Sequence, residues 1–183
     1  MIFWRTVLCC ILLFFSFQLA AQEKVVRLLY SSSDIYSNHT DSFAISKVYY
    51  TFWTDSIVVK LKNHKKVTFS PEQIWGYQSK NGIIKRFWNG EEYIGVHTDT
   101  TTLCLYSKKS GKYTKYYFSK SLDSDILPLT RKNLKNYYSL ENSCFVEKID
   151  YDLKWYQDIL SFDKKIGFYK IVGYYKECID KNK

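Results

Sequence analysis

The stretch Ile74-Trp75-Gly76-Tyr77-Gln78-Ser79-Lys80-Asn81-Gly82-Ile83-Ile84-Lys85-Arg86-Phe87-Trp88-Asn89-Gly90-Glu91-Glu92-Tyr93-Ile94-Gly95-Val96-His97 decides the fold. Two Asn-Gly pairs, Asn81-Gly82 and Asn89-Gly90, cut it into three runs, 74–79, 83–88 and 92–97, rich in β-branched and aromatic residues. Asn-Gly is the favoured pair of a two-residue hairpin because both central positions need positive φ. The pattern therefore predicts an antiparallel meander, with Trp75, Ile84 and Trp88 as candidates for burial. Side chains alternate between the faces of a strand, so Ile84, Arg86 and Trp88 share one face of 83–88 and Ile83, Lys85 and Phe87 the other. Apolar groups on both faces predict that both are covered, in a partly closed, barrel-like sheet or one packed by helices.

Working outward, residues 25–30 read as a first strand and 31–42 as a polar loop. Residues 45–53 and 57–61 are strand-like and flank a Thr54-Asp55-Ser56 turn. Downstream, Ser110-Gly111 separates 103–107 from 113–118. The period changes after Leu129. Thr130 is placed to cap a helix over 131–138, with Leu134 and Tyr138 on one face. A second helix is expected from Asp150 or Asp152, carrying Trp155, Ile159, Phe162, Ile166 and Tyr169 at spacings of three and four. Gly167 and Gly173 each disfavour a helix interior by about 1 kcal/mol, so 166–175 reads as helix or as a last strand. The expected class is α+β, mainly β: an antiparallel meander, partly closed or barrel-like, followed by C-terminal helices.

The start of the chain bears on compartment. Arg5 is the only charge before Glu23, and residues 7–17 are apolar except for Ser16. Small residues follow at Ala20 and Ala21. A positive start, a short apolar run and a small-residue exit describe a secretory signal peptide over 1–21, too short for the roughly 20 apolar residues of a membrane span. Residues 22–183 then form a single β-rich domain with a helical C-terminal part, not transmembrane after cleavage, and destined for the periplasm, the outer surface or the medium. The chain has 27 basic and 18 acidic side chains, and without Arg5 the balance is still +8.

Three cysteines follow the signal segment: Cys104, Cys144 and Cys178. Export permits a disulfide, and one bridge among three thiols has three possible connectivities. Cys104 reads as a buried apolar thiol inside a strand, and Cys144 with Cys178 is the preferred pair.

Residues 74–82 with Lys85-Arg86-Phe87 resemble a turn motif in a family of exported proteins of Bacteroidota-type bacteria. A second block resembles the same group: Tyr116-Tyr117-Phe118-Ser119-Lys120 with Leu122-Asp123-Ser124 and Leu129-Thr130 to Leu134. The resemblance implies export and an architecture. It carries no activity, cofactor or site residue with it.

No residue is nominated as catalytic, cofactor-binding or metal-binding. His39, His64 and His97 lack the i+2 or i+4 partner of a metal-ligand pair, and Asp123 and Asp125 offer too few oxygens for calcium. There is no Gly-x-Ser-x-Gly elbow or phosphate-cradling glycine loop. His97 and Cys104 fall on neighbouring strands, which reads as coincidence of spacing. Nothing in the sequence selects a facing pair among Glu91, Glu92, Asp150 and Asp152. Lysines cluster at Lys60, Lys62, Lys65 and Lys66 and again at Lys108, Lys109 and Lys112. Export argues against nucleic acid as their partner and favours an anionic envelope glycan or another envelope protein. The 17 Tyr and 5 Trp read first as core. The expectation is a non-enzymatic exported binding or envelope-associated domain. The alternatives are a glycan- or peptidoglycan-directed hydrolase without a recognisable motif, and an aromatic glycan-binding module.

Overall fold

The computed structural model describes residues 26–37, 44–99, 101–153, 159–165 and 167–180. The expected signal segment, residues 1–21, lies outside them, as do His39, Trp155 and Ile166. In chain order the first strands are β1 (Arg27–Leu29), β2 (Ile45–Thr51), β3 (Ser56–Leu61), β4 (Lys66–Phe69), β5 (Gly76–Gln78) and β6 (Ile84–Trp88). They are followed by β7 (Glu91–His97), β8 (Cys104–Ser110), β9 (Tyr113–Ser119) and β10 (Leu127–Pro128). A seven-stranded sheet runs β1-β5-β6-β7-β8-β9-β10 and a three-stranded sheet runs β2-β3-β4. Every pairing is antiparallel. An isolated bridge from Val26 to Ile45 joins the two sheets without closing them. The fold is mainly β with C-terminal helices, as the glycine turns and the later change of period predict.

The two Asn-Gly pairs do different things. Asn89 and Gly90 both have positive φ (46° and 70°) and form the whole link between β6 and β7. At the other pair only Gly82 has positive φ (82°), and its N–H donates to the Ser79 carbonyl at 2.8 Å. That link is a longer loop, because the chain turns at Lys80-Asn81 with Gly82 closing the turn. Strands β4 and β10 were not anticipated. Each is four residues or fewer, too short for an alternating pattern to register.

Both faces of the large sheet are covered. Phe87 is paired with Glu92, Ile94 with Ser107 and Leu105 with Phe118, so Phe87, Leu105 and Phe118 share one face. At one end of that face Phe87 and Tyr77 pack against Val48, Ile57 and Val59 of the small sheet. At the other end Leu105 and Phe118 pack against the helices. The opposite face carries Arg86, Tyr93, Tyr106 and Tyr117 in register. Leu122 and Ile126 of the β9–β10 loop help cover it. Ile84 is buried, Trp75 and Trp88 are half-buried, and Ile83 is exposed in the loop before β6.

The helices are α1 (Arg131–Tyr138), α2 (Ser143–Asp152) and α3 (Lys170–Asp180). Thr130 caps α1 by accepting from the Asn133 N–H, as the sequence predicts. The second helix does not begin at Asp150 or Asp152: both lie in its last turn, and Asn142 caps it by accepting from the Phe145 N–H at 3.0 Å. Phe145 and Ile149 thus form its buried face; of the expected stripe, Trp155 and Ile166 lie outside the described residues and Ile159 is buried. Phe162 and Tyr169 sit in a two-stranded hairpin, β11 (Phe162–Asp163) and β12 (Phe168–Tyr169). Residues Lys170–Asp180 are helix, with Gly173 buried inside it. Packing overrides the propensity cost there. A Cys144–Cys178 disulfide ties α2 to α3, and Cys104 is a buried free thiol.

Candidate functional site

Arg86 stands out chemically. It sits mid-strand between Ile84 and Trp88 on an apolar face and is only 1% exposed. A guanidinium taken out of water loses several kcal/mol of solvation unless it is paired. Among the described residues no carboxylate forms a salt bridge with it, and its Nε is buried with no hydrogen-bond partner. Aromatic rings surround the guanidinium instead. The guanidinium carbon lies 4.8 Å from the Trp88 ring centroid, 5.5 Å from Trp75 and 5.9 Å from Tyr106. Each such contact returns on the order of 0.5–2 kcal/mol.

The surroundings hold this cage in place. The Trp75 indole donates to the Leu122 carbonyl at 3.2 Å, which pins both the ring and the β9–β10 loop. One terminal nitrogen of Arg86 donates to the Tyr106 hydroxyl at 3.4 Å, and Ser119 Oγ donates to the same oxygen at 3.2 Å. Burial pushes the Tyr106 phenol up to about 12, partly countered by the Arg86 charge. It is therefore a neutral neighbour of the cation. Gly76 is the Cα partner of Arg86 in β5. A Cβ there would lie 2.2 Å from the Lys85 carbonyl oxygen.

Arg86 also lines a cleft of about 700 Å³ between the large sheet and the β2–β3 hairpin. Trp75 and Trp88 continue the lining, Tyr50 and Phe52 come from the hairpin, and Asp55, Glu72 and Asp123 supply carboxylates. Tyr50 fixes one wall. Its hydroxyl donates a short hydrogen bond to Asp55, which raises the phenol's pKa, and its ring lies 6.4 Å from Phe87. Phe52 is 79% exposed and the adjoining Trp53 92%. Glu72 accepts from Ser70 Oγ at 3.2 Å and Asp123 from Ser32 Oγ at 2.7 Å. All three acidic residues are exposed. The cleft thus offers flat apolar surface, hydroxyl-accepting carboxylates and one buried cation.

Of the histidine, cysteine and acidic residues weighed from sequence, Asp123 lines the cleft, and His64, His97, Cys104, Glu91, Glu92 and Asp150 do not. His97 Nε2 is 3.0 Å from Thr102 Oγ1, and burial lowers its pKa. The Cys104 thiol points to the Asp99 carbonyl at 3.5 Å and is pushed up to about 11 by burial, unlike a reactive thiolate. The two do not form a dyad. His64 is an exposed turn residue with φ 66°. Glu91 pairs with Lys108, Glu92 with Lys85, and Asp150 with Arg131 and Lys135. In the sequence Arg86 is a member of a strand face and of the Lys85-Arg86-Phe87 block. Its signal was a charge between two large apolar neighbours on a face expected to be buried.

Among the described residues no helix is long and apolar enough to cross a membrane. In comparisons with known proteins, no family model, no curated protein and no solved structure matches this chain.

Proposed function

We propose that this chain is an exported, non-enzymatic binding domain of the cell envelope, whose ligand is a glycan held in the Arg86 cleft. One observation carries the reading: a buried arginine that pairs with no carboxylate among the described residues, caged by rings, lines a cleft whose rim bears carboxylates and exposed aromatics. Sugars present apolar ring faces to Trp and Tyr, and hydroxyls to carboxylates and guanidinium. The signal segment and the likeness to exported proteins of Bacteroidota-type bacteria support the compartment.

Trp75 and Trp88 line the cleft, so their fluorescence reports occupancy. Titration with chitotetraose, cellotetraose and maltotetraose should find one that saturates, and Trp88→Ala should weaken it at least tenfold. Failure of all three, or an unaffected variant, would remove the cleft from consideration. The convergence of Asp55, Glu72 and Asp123 favours hydrolysis as the second reading. A glycosidase acid needs a carboxyl shielded from water, and these three are exposed. Release of reducing ends, lost in Glu72→Gln or Asp123→Asn, would replace binding by catalysis.

A further inference from the structure

Lys47, Lys60 and Lys66 are Cα partners in consecutive strands, Lys47 opposite Lys60 and Lys60 opposite Lys66. They form one row across the outer face of the small sheet. Lys47 and Lys66 are exposed and Lys60 is half-buried. Like charges directly opposite destabilise a sheet. The comparable pair Lys108 and Lys115 is relieved by Glu91, which bonds Lys108. Among the described residues the row has no such acid. At its β2 end, Lys47 turns into a groove of about 540 Å³ that Lys80 and Lys85 also line. The acid there is Glu92, which already accepts from Lys85 at 2.8 Å and from the Tyr77 hydroxyl at 2.9 Å.

We infer that this row and groove form a track for a linear acidic polysaccharide, a site separate from the Arg86 cleft. A uronic-acid chain carries one carboxylate per sugar, a repeat close to the spacing of neighbouring strands, about 4.8 Å. The track bends from a sheet face into a groove, a path that a flexible chain follows and a flat bilayer does not. The exposed Phe52 and Trp53 are at the far end of β2, roughly 16 Å from Lys47 at the rise of a strand. They give a lipid surface no anchor beside the lysines. The Lys47 ammonium lies 5.4 Å from the Tyr49 ring centroid and occupies a ring face on which a nucleobase would otherwise stack.

The test uses oligogalacturonate, neutral dextran of matched length, vesicles containing anionic lipid and a single-stranded oligonucleotide. Oligogalacturonate should bind with strong salt dependence. The triple variant Lys47→Gln, Lys60→Gln, Lys66→Gln should weaken it at least tenfold and flatten the salt slope. Removing like-charge pairs leaves the fold intact, and an unchanged thermal midpoint verifies this. Trp88→Ala should leave oligogalacturonate binding unaltered, which separates the track from the cleft. Oligogalacturonate binding unchanged in the triple variant, or vesicles or the oligonucleotide bound more tightly, would overturn the inference.

Discussion

At the helix-backed end of the large sheet, Tyr138, Phe145 and Tyr175 pack around one another with ring centroids 5.1–5.3 Å apart, and Phe118 lies 6.3 Å from Tyr138. All four are buried. At the Arg86 end the rings stand around a cation instead of around each other, and Phe52 projects into solvent. The same residue types serve cohesion in one place and leave surface unused in the other. Edge-to-face ring pairs add about 0.5–1.5 kcal/mol beyond burial, whereas an arginine buried with no carboxylate partner among the described residues carries a desolvation cost that its ring contacts offset only in part. A buried polar group left without a hydrogen-bond partner calls for an explanation, and the ligand proposed above supplies one. Truncations at the two ends should therefore have opposite effects.

The largest effect belongs to the helix-backed cluster. Phe145→Ala removes a fully buried ring that touches both Tyr138 and Tyr175. It should cost about 3–5 kcal/mol in a urea melt, while glycan binding by the fraction still folded is unchanged. Next comes the Cys144–Cys178 bridge, which closes a sequence separation of 34 and joins two helices of that cluster. The double variant Cys144→Ala, Cys178→Ala should lose roughly 2–4 kcal/mol. A melt insensitive to reductant would mean that the two ends do not differ in how firmly they are tied.

The sequence disclosed the frame better than the site, for a physical reason. Asn89-Gly90 and Thr130 act through neighbours in the chain, so their turn and cap are readable locally. The helix Ser143–Asp152 starts earlier than Asp150 or Asp152 because Asn142 caps it, a cap set among polar residues with nothing apolar beside it to mark a helix start. Trp75, Arg86 and Trp88 were visible as a strand pattern, but their meeting with Tyr106, Asp123 and the hairpin depends on pairings across many residues. That no described carboxylate reaches Arg86 is a property of three-dimensional surroundings and has no sequence signature. Lys60 and Lys66 were recognised as a cluster, whereas their alignment with Lys47 emerged only from strand register.

A middle-sized effect probes the wall shared by fold and cleft. Gly90 has φ 70°, and a Cβ there would lie 2.7 Å from the Tyr50 hydroxyl oxygen. Gly82 has φ 82° with open space around it. Valine in either position is strained, at on the order of 1–3 kcal/mol. Gly90→Val should be the costlier, and it alone should weaken glycan binding, because it displaces the ring that forms the hairpin side of the cleft. Equal midpoints and equal affinities for the two variants would show that Tyr50 does not brace the site.

The smallest change in stability should accompany the largest change in function. Arg86→Met keeps a long side chain among Trp75, Trp88 and Tyr106 and deletes a buried charge that has no carboxylate partner among the described residues. Replacing buried charge by apolar volume is often neutral or stabilising. The cation–π contacts that are lost offset part of the gain, so the urea midpoint should move by under about 1 kcal/mol. Affinity for the tetrasaccharide that saturates the wild type should fall at least tenfold, since guanidinium hydrogen bonds have no substitute in a thioether. A stability loss above about 2 kcal/mol with affinity unchanged would make Arg86 a structural pin like Phe145. The contrast between the two ends would then be one of composition only, and the cleft would lose its central residue.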